Sequence, residues 1–295
     1  MGCSALEEIV IPPNVTSIGD RAFQNCDSLT KVDIQGENVS IGNSAFYMLQ
    51  ALKEVTVGRP GGIITIGPRA FFNSHALTTV TLPEGVTELG ESCFEGCDVL
   101  SQITLPSTLT AIGESAFEYT YGLSNVDLVI PGSVTTIGPK AFRCSGIRSL
   151  TLGEGVESIG AEAFTTCDNL TKVVLSNSLT ELGASAFSYC GSLTELTLPE
   201  ALTAIPDSAF AYSGLTKVVI PDSVETIGSY AFYNYSLMDI MFRGDSFPEF
   251  AEDAFPDLYG QRIYLEADAD VGMTFDDGIF TYEVITRTEA AVTGM

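Results

Sequence analysis

The stretch "SLTELTLPEALTAIPDSAFAYSGLTKVVIPDSVETIGSYAF", residues 192–232, contains nearly the same phrase twice. Each phrase runs Leu-Thr-x-Val/Leu-x-Leu/Ile-Pro, then x-x-Val/Leu-x-x-Ile, and ends on Ala-Phe. Self-similarity at a fixed period of about 20 to 50 residues is typical of proteins in which each unit stacks on its neighbours. This stretch therefore predicts a solenoid.

The phenylalanine that ends each phrase recurs along most of the chain. Ala precedes it in ten of eleven copies, and Gly stands four residues before it in nine. The eleven residues are Phe23, Phe46, Phe71, Phe94, Phe117, Phe142, Phe164, Phe187, Phe210, Phe232 and Phe255. Successive copies are 22 to 25 residues apart. This regularity predicts about eleven coils, none of which can bury its apolar side without its neighbours.

Each copy contains three local patterns. The main segment alternates apolar and polar residues, as around Val173 and Leu175, which is typical of a short strand. A shorter extended segment follows, as in Val224–Ile227. Counted from the Gly, apolar residues then fall at +3, +4 and +7, the spacing of one face of a short helix. The chain is therefore predicted to be α/β, with a parallel strand, a second extended piece and a short helical turn in each coil.

The full phrase is Leu-x-x-Val-x-Leu-Pro-x-x-Val-x-x-Ile-Gly-x-x-Ala-Phe-x-x-Cys. It resembles the repeat of the BspA-like (TpLRR-type) class of leucine-rich repeats, and the resemblance covers about residues 3–265. It implies a right-handed, curved leucine-rich-repeat solenoid. It also implies a secreted or surface-displayed bacterial or protist protein with a role in adhesion to another protein. The family has no shared catalytic residues, so the resemblance implies no enzymatic activity.

The repeat pattern also predicts a domain organisation. It holds over residues 1–258 and fades after Phe255, so residues 259–295 are predicted to form a C-terminal cap and tail, because the end of a solenoid core needs a polar cover. At the other end the pattern begins mid-repeat at Cys3, directly after Met1 and Gly2. We therefore expect the sequence to be a piece of a longer protein, and the missing signal peptide carries little weight.

Composition and charge narrow the classes of partner. The formal net charge is −25, from 13 Lys and Arg against 38 Asp and Glu, which argues against nucleic acid and against a polybasic membrane contact. No apolar run approaches the roughly 18 residues of a transmembrane helix, so no membrane insertion is expected. Most of the seven cysteines follow the repeat, which predicts small buried core residues rather than a disulfide framework.

Few residues of the sequence suggest a catalytic or metal-binding site. His75 is the only histidine, and its repeat position is occupied elsewhere by Asp98 and Asp168, so no catalytic site and no cofactor are predicted. An acidic run resembles a calcium-binding loop through Glu266, Asp268, Asp270 and Asp277. Val271 stands where the loop needs Gly, however, so a solvated acidic turn is the preferred interpretation and no metal site is predicted.

The outward residues of the predicted main strands form the candidate binding surface. Toward the C-terminal half, these outward residues include a line of apolar side chains with charged side chains beside it. This arrangement is typical of a protein-binding patch. The candidate residues are Lys172, Val174, Glu195, Thr197, Lys217, Val219, Asp239 and Met241. Ordinary strand decoration is the competing interpretation. Tyr212, Tyr230, Tyr233 and Tyr235 are expected to cluster on the opposite flank, either as a second interaction surface or as gap-filling side chains.

Two copies are two residues longer than their neighbours. The extra residues are assigned to the positions just after the main strand, in "VGRPGGII" (Val57–Ile64) and "DLVIPGSV" (Asp127–Val134), with Asn125 and Asp127 facing outward. Each insertion is either a binding loop or a tolerated bulge. For the whole chain, a non-enzymatic protein-binding or adhesion module is the leading hypothesis. A structural spacer that displays another domain is the alternative, and a carbohydrate-active enzyme is a weaker one.

Overall fold

A computed structural model describes residues 3–244, 247–251, 253–255, 262–266, 274–276 and 281–283. Over these residues the chain winds through about ten turns of a parallel-strand solenoid. Most turns contribute one strand to a main sheet and one to a second sheet, and a compact turn segment follows the second strand. The predicted solenoid is therefore confirmed.

The main sheet is parallel throughout and is divided into three blocks. Its strands are Glu8–Ile11, Lys31–Ile34, Glu54–Thr56 and Thr79–Thr81, then Asp127–Ile130, Ser149–Leu152 and Lys172–Val174, and finally Lys217–Ile220, Asp239–Arg243 and Arg262–Glu266. The apolar residues point into the core, so that Val32 and Ile34 are buried whereas Lys31 is exposed. The strand predicted around Ile103 and Leu105 does not form, although both side chains are buried.

The second sheet lies along another side of the coils and is divided into two blocks. Its strands are Ser17–Ile18, Val39–Ile41, Ile64–Ile66, Val86–Leu89, Ala111–Ile112, Thr136–Ile137, Ser158–Ile159 and Glu181–Leu182, then Ala204–Ile205, Thr226–Ile227 and Glu249–Phe250. A further antiparallel hairpin pairs Thr274–Asp276 with Thr281–Glu283. The strand Arg262–Glu266 pairs in parallel with Asp239–Arg243 and continues the main sheet. Much of the predicted cap over residues 259–295 lies outside the described residues, and the boundary after residue 258 stays a prediction.

The turn segments are not helical, so the α/β class is wrong. In the first one, Arg21 and Asn25 have positive φ angles of 54° and 64°, which interrupt any helical run. The Ala22 N–H donates to the Gly19 carbonyl within the turn (3.2 Å), whereas the Phe23 N–H donates to the Ala45 carbonyl of the next coil (2.8 Å). Alternate amides thus bond within one turn and between turns. The only helix in the described residues is the one-turn 3₁₀ segment Tyr121–Leu123.

The phenylalanines form one continuous column through the core. Neighbouring rings stack nearly parallel from Phe23 to Phe255, with centroid separations of 4.9 to 5.9 Å. Offset stacking of this kind adds about 0.5–1.5 kcal/mol per pair to the gain from burial. From Phe46 onward the repeat Phe and the residue before it are buried as predicted and without a helix, whereas Ala22 is exposed and Phe23 is half-buried in the first coil.

Five cysteines are buried in the core, in agreement with the sequence prediction: Cys26, Cys93, Cys97, Cys167 and Cys190. The Cys97 thiol donates to the carbonyl of Phe71 at 3.3 Å, and burial raises its pKa to about 12. A thiol of that kind is held in its neutral form and is a poor nucleophile. Cys3 is exposed and Cys144 is half-buried, so these two do not follow the core prediction.

The glycine four residues before each phenylalanine lets adjacent coils touch. At Gly183 a Cβ atom would lie 2.3 Å from the backbone nitrogen of Ala161, so only a residue without a side chain fits at this spacing. The Gly183 N–H also donates to the carbonyl of Ile159 at 2.7 Å. This column therefore provides both the close approach of the coils and one of the bonds between them.

Pro206 replaces this glycine in one coil, and both sheets are interrupted at that place. The second sheet ends at Glu181–Leu182 and resumes at Ala204–Ile205, while the main sheet ends at Lys172–Val174 and resumes at Lys217–Ile220. Because proline has no N–H, the bond that Gly183 makes to the previous coil cannot be repeated. The turn segments still bond across the junction, since the Phe187 N–H donates to the Ala209 carbonyl at 2.8 Å.

Candidate interaction surface

The alternation of the main strands decides which side chains face outward. Backbone register places Asp127, Ser149 and Lys172 side by side in one outward column. Val129, Thr151 and Val174 are neighbours in the second outward column. In parallel strands such neighbours are close enough to form cross-strand pairs, so the face has a regular chemistry rather than a random one.

The structure separates the eight candidate residues into three groups. Lys172 and Val174 lie on the last strand before the interruption, and Val174 is 43% exposed. Glu195 and Thr197 are exposed on a segment that forms no strand. Beyond the interruption Lys217 pairs in register with Asp239, and Val219 with Met241. Lys217, Asp239 and Val219 are half-buried.

Met241 corrects the expectation of an exposed apolar line. Only 8% of its surface is exposed, so it is part of the buried interior and not of the candidate surface. Its strand is an inner one, flanked in register by Val219 on one side and Tyr264 on the other. An outward position in the alternation therefore does not guarantee exposure.

An open depression of about 390 Å³ lies on the main sheet at the interruption. It is lined by Thr171–Val174 and Thr194–Thr197, so it includes four of the eight predicted residues. The buried side chains of Val173 and Leu196 lie between outward-facing neighbours. A second open depression, of about 550 Å³, lies beside Pro206 and includes Ala184, Ile227 and Phe250 in its lining. The coils are thus open to solvent on both sides of the break.

Several charged residues elsewhere on the main sheet are paired. Lys31 Nζ lies 3.1 Å from Glu54 Oε2, and the hydrogen bond to Glu54 raises the pKa of Lys31. Arg59 lies 2.7 Å from Asp33, whose pKa is lowered by hydrogen bonds from Gln35 and then from Arg59. Hydrogen bonds from Arg148 and Ser149 likewise lower the pKa of Asp127. These contacts fit the competing interpretation for this part of the face, in which the outward residues are ordinary solvent-exposed side chains with no binding role.

Lys172 and Lys217 differ from those cations. Within the part of the chain that the structure describes, neither forms an ion pair, and neither does Glu195 between them. A partner could therefore pair with these charges without first breaking an existing salt bridge.

The second insertion lies before its strand and not after it. The strand is Asp127–Ile130, and Val129 pairs with Thr151, so the outward residues are Asp127 and Val129 rather than Asn125 and Asp127. The extra residues belong to the region of the 3₁₀ turn Tyr121–Leu123. Pro131 directly follows Ile130, as Pro221 follows Ile220, and this signal could have placed the strand correctly. Val129 is 59% exposed and was missed for that reason.

The first insertion follows its strand as predicted. Arg59 in this loop donates to Asp33 Oδ1 at 2.7 Å and to the Ile34 carbonyl at 3.3 Å, which ties the loop to the previous coil. A register shift between Ile64 and Thr65 marks an irregularity in the pairing of the next strand. Whether the loop binds a partner stays a prediction.

The predicted tyrosine cluster forms on the turn side of the solenoid and includes Tyr189 as a further member. We refer to this cluster as the tyrosine surface, which comprises Tyr189, Tyr212, Tyr230, Tyr233 and Tyr235. Tyr189 and Tyr212 stack at 4.7 Å, and Tyr233 contacts Tyr212, Tyr230 and Tyr235 edge-on, each at 5.5 Å. Tyr189 and Tyr212 both stand two residues after a repeat phenylalanine, which is the signal that could have joined Tyr189 to the cluster.

The only histidine of the chain pairs with a carboxylate at the surface. His75 Nδ1 lies 3.1 Å from Asp98 Oδ1, and both side chains are exposed. Within the described ranges no three His, Cys, Asp or Glu side chains come together as a metal site would require. Asp268, Asp270 and Asp277 of the acidic run lie outside the described residues. No helix in the described part of the chain has the length and apolar character needed to cross a membrane.

Comparison with known proteins places these features in a family context. The family profile described as "BspA type Leucine rich repeat region (6 copies)" matches residues 1–75, 64–191 and 135–260. No curated protein matches the chain. Among solved structures, a leucine rich repeat protein of T. pallidum is 26% identical, with 64% of this chain and 79% of that chain covered and a TM-score of 0.50.

Two other solved structures have lower structural similarity scores. A leucine rich cell surface protein from Faecalibacterium prausnitzii is 29% identical, with 81% of this chain and 88% of that chain covered and a TM-score of 0.41. A leucine-rich repeat protein from Bacteroides ovatus is 22% identical, with 90% and 85% covered and a TM-score of 0.48.

Proposed function

This chain belongs to the BspA-type leucine-rich repeat family, and from that premise we propose that it is a non-enzymatic protein-binding module of a secreted or cell-surface protein. The outward face of the main sheet presents the binding site, in the style of an adhesion module. The site is centred on the depression between Lys172–Val174 and Thr194–Thr197.

One observation carries the proposal. Lys172 and Glu195 stand exposed at the depression without ion pairs in the described part of the chain, beside the exposed Val174. A small apolar area with charges of both signs at its edge favours a protein partner, since opposite charges on the partner fix its register. The His75–Asp98 pair supports a non-enzymatic role, because both side chains are exposed and, in the described residues, the His75 ring hydrogen-bonds only to Asp98 and to no nucleophile.

The binding face can be tested without a known ligand. A phage-displayed library of short random peptides is selected on the purified chain, and the enriched peptides are measured by biolayer interferometry against variants. Lys172→Glu combined with Glu195→Lys keeps the net charge, and it is expected to weaken the dominant peptides by about tenfold or more. The matched control is Thr136→Glu combined with Glu181→Thr on the second sheet, which also keeps the net charge and is expected to leave the binding of these peptides unchanged.

Two outcomes would count against this function. A structural spacer has no preferred binding face, so enriched peptides that are insensitive to the charge swap would contradict the proposed site. The location has a separate test, in which antibodies against the chain label intact and permeabilised producing cells. Labelling confined to permeabilised cells would contradict a surface or secreted location.

A further inference from the structure

We propose that the tyrosine surface binds arginine side chains of a partner protein. This surface lies on the turn side of the solenoid, and the proposal is independent of the main-sheet site described above. It rests on the exposure of the tyrosines, on the backbone positions they occupy, on an arginine bound to a tyrosine elsewhere in this chain, and on the distribution of charge.

The tyrosines are contiguous and open to solvent. The exposed fractions are 52% for Tyr189, 44% for Tyr212, 47% for Tyr230 and 75% for Tyr235. Tyr233 is half-buried and contacts three of the other rings, so the group is held together rather than scattered. The hydroxyls of Tyr233 and Tyr235 are 3.0 Å apart. Exposed aromatic groups of this size are characteristic of recognition sites, because tyrosine gives a large contact area at a low entropy cost.

The solenoid does not require tyrosine at these positions. Tyr189, Tyr212 and Tyr230 have positive φ angles of 57°, 54° and 56°, a conformation that disfavours bulky side chains. In the same turn column as Tyr189 and Tyr212, Asn73 and Gly96 serve the fold equally well. The aromatic rings are therefore not explained by the needs of the turn.

The chain contains an occupied version of the same arrangement. Tyr119 stands in the turn column of Tyr189 and Tyr212, and the guanidinium of Arg143 from the next coil lies over its ring, 5.4 Å from the centroid. Arg143 also donates to the Tyr119 hydroxyl at 2.7 Å and to Glu118 Oε1 at 2.6 Å. A guanidinium above an aromatic face is a favourable cation–π contact, worth more as water is excluded.

At the tyrosine surface the position of that arginine is filled by uncharged residues. The residue equivalent to Arg143 is Ala211 beside Tyr189 and Tyr233 beside Tyr212. From residue 149 to residue 242 the sequence has only two cations, Lys172 and Lys217, and both lie on the main sheet. Tyr189 and Tyr212 thus contact other tyrosines where Tyr119 contacts an arginine, and residues 149–242 contain no arginine that could cover them.

Electrostatics favour a cationic partner. The net charge of −25 creates an attractive field for basic segments, and the aromatic faces add a local preference for guanidinium. Asp253 follows Tyr230 in the same turn column of the next coil, and its carbonyl accepts from the Tyr230 N–H at 3.0 Å. This bond places an acidic residue next to Tyr230 in the turn column.

The test uses a fluorescent arginine-repeat peptide, with lysine-repeat and glutamate-repeat peptides for comparison, and measures binding by fluorescence anisotropy at fixed ionic strength. Tyr212→Ala combined with Tyr235→Ala leaves the net charge unchanged, so it removes the ring contacts and not the general attraction. We expect the dissociation constant for the arginine peptide to rise about tenfold. The matched control Met48→Ala, at an exposed position of the same turn column, is expected to bind like the parent chain.

A second variant distinguishes ring contacts from hydroxyl contacts and from misfolding. Tyr212→Phe combined with Tyr235→Phe keeps the aromatic faces and is expected to retain most of the affinity for arginine. Equal binding of the alanine variant and the parent chain would overturn the proposal. So would an equal loss in Met48→Ala, or equal affinities for the arginine and lysine peptides in the parent chain. Because all variants leave the main sheet untouched, these outcomes do not bear on the main-sheet site.

Discussion

The junctions at Gly183 and at Pro206 solve the same packing problem with different results. At Gly183 the coil approaches its neighbour closely and donates a backbone hydrogen bond of 2.7 Å, and the second sheet continues. One coil later Pro206 has no N–H to donate, and both sheets are interrupted. The phenylalanine column crosses this place without a gap, since Phe187 and Phe210 stack at 5.9 Å. The apolar core therefore continues across a junction at which both sheets are interrupted.

Ala251 identifies which property of proline matters. It also replaces the repeat glycine, yet its N–H donates to the Ile227 carbonyl at 2.9 Å and the strands on either side remain paired. A Cβ atom alone is thus compatible with a continuous second sheet at that position. The missing N–H and the ring of Pro206 are what distinguish the interrupted junction.

The largest effect is expected from the element that both junctions share. Phe187→Ala, beside the interrupted junction, and Phe164→Ala, beside the intact one, each remove a fully buried ring and should lower the free energy of unfolding by about 3–5 kcal/mol. Urea denaturation followed by circular dichroism measures both. A loss at Phe187 much smaller than the loss at Phe164 would show that the column does not carry the core across the break.

An intermediate effect is expected from building a second interruption. Gly183→Pro removes the bond to Ile159 and introduces atoms where the neighbouring backbone lies, so it should cost about 2–4 kcal/mol. Gly183→Ala is the matched control, because it introduces a Cβ atom and retains the N–H. If both variants lose the same stability in urea denaturation, the contact and not the hydrogen bond decides the pairing.

The smallest effect is expected from repairing the natural interruption. Pro206→Ala restores an amide that can bond to the previous coil, worth about 0.5–1.5 kcal/mol, although the freer unfolded chain offsets about 0.4–1 kcal/mol of this. Hydrogen exchange is therefore the sharper measurement. We expect slower exchange of the amides in the segment Thr194–Leu198, and protection of the new amide that the variant has at residue 206. Unchanged exchange in that segment would mean that Pro206 is not the cause of the main-sheet interruption.

The sequence predicted the core well because the core is defined by residue type. Leu196, Leu198 and Phe210 recur in the repeat and are buried, since each apolar column needs the same atoms in every coil. The turn segments were mispredicted because spacings of +3, +4 and +7 suit both a helix and a turn with alternating positive φ. The helix and the turn differ in the carbonyl to which each amide donates. The Phe23 amide, for example, donates to Ala45, which lies 22 residues away in the sequence.

The surface was less predictable because it depends on register and neighbours. The outward column shifted at Asp127 because the inserted residues precede the strand, and repeat counting alone does not reveal on which side an insertion falls. Met241 occupies an outward position in the alternation, yet only 8% of its surface is exposed. Pro206 was visible as an exception in the glycine column, but the loss of a bond to the previous coil follows only from where the glycine amides of the other coils donate.

The interrupted junction also has a mechanical meaning. In a stack of coils, bonds between neighbours lie along the long axis, so tension applied to the two ends loads every junction in series. The junction with the fewest backbone bonds then yields before the others. At Pro206 both sheets are open and the turn ladder remains, including the Phe187 to Ala209 bond. We therefore expect this place to yield first under axial force and to divide the solenoid into two segments.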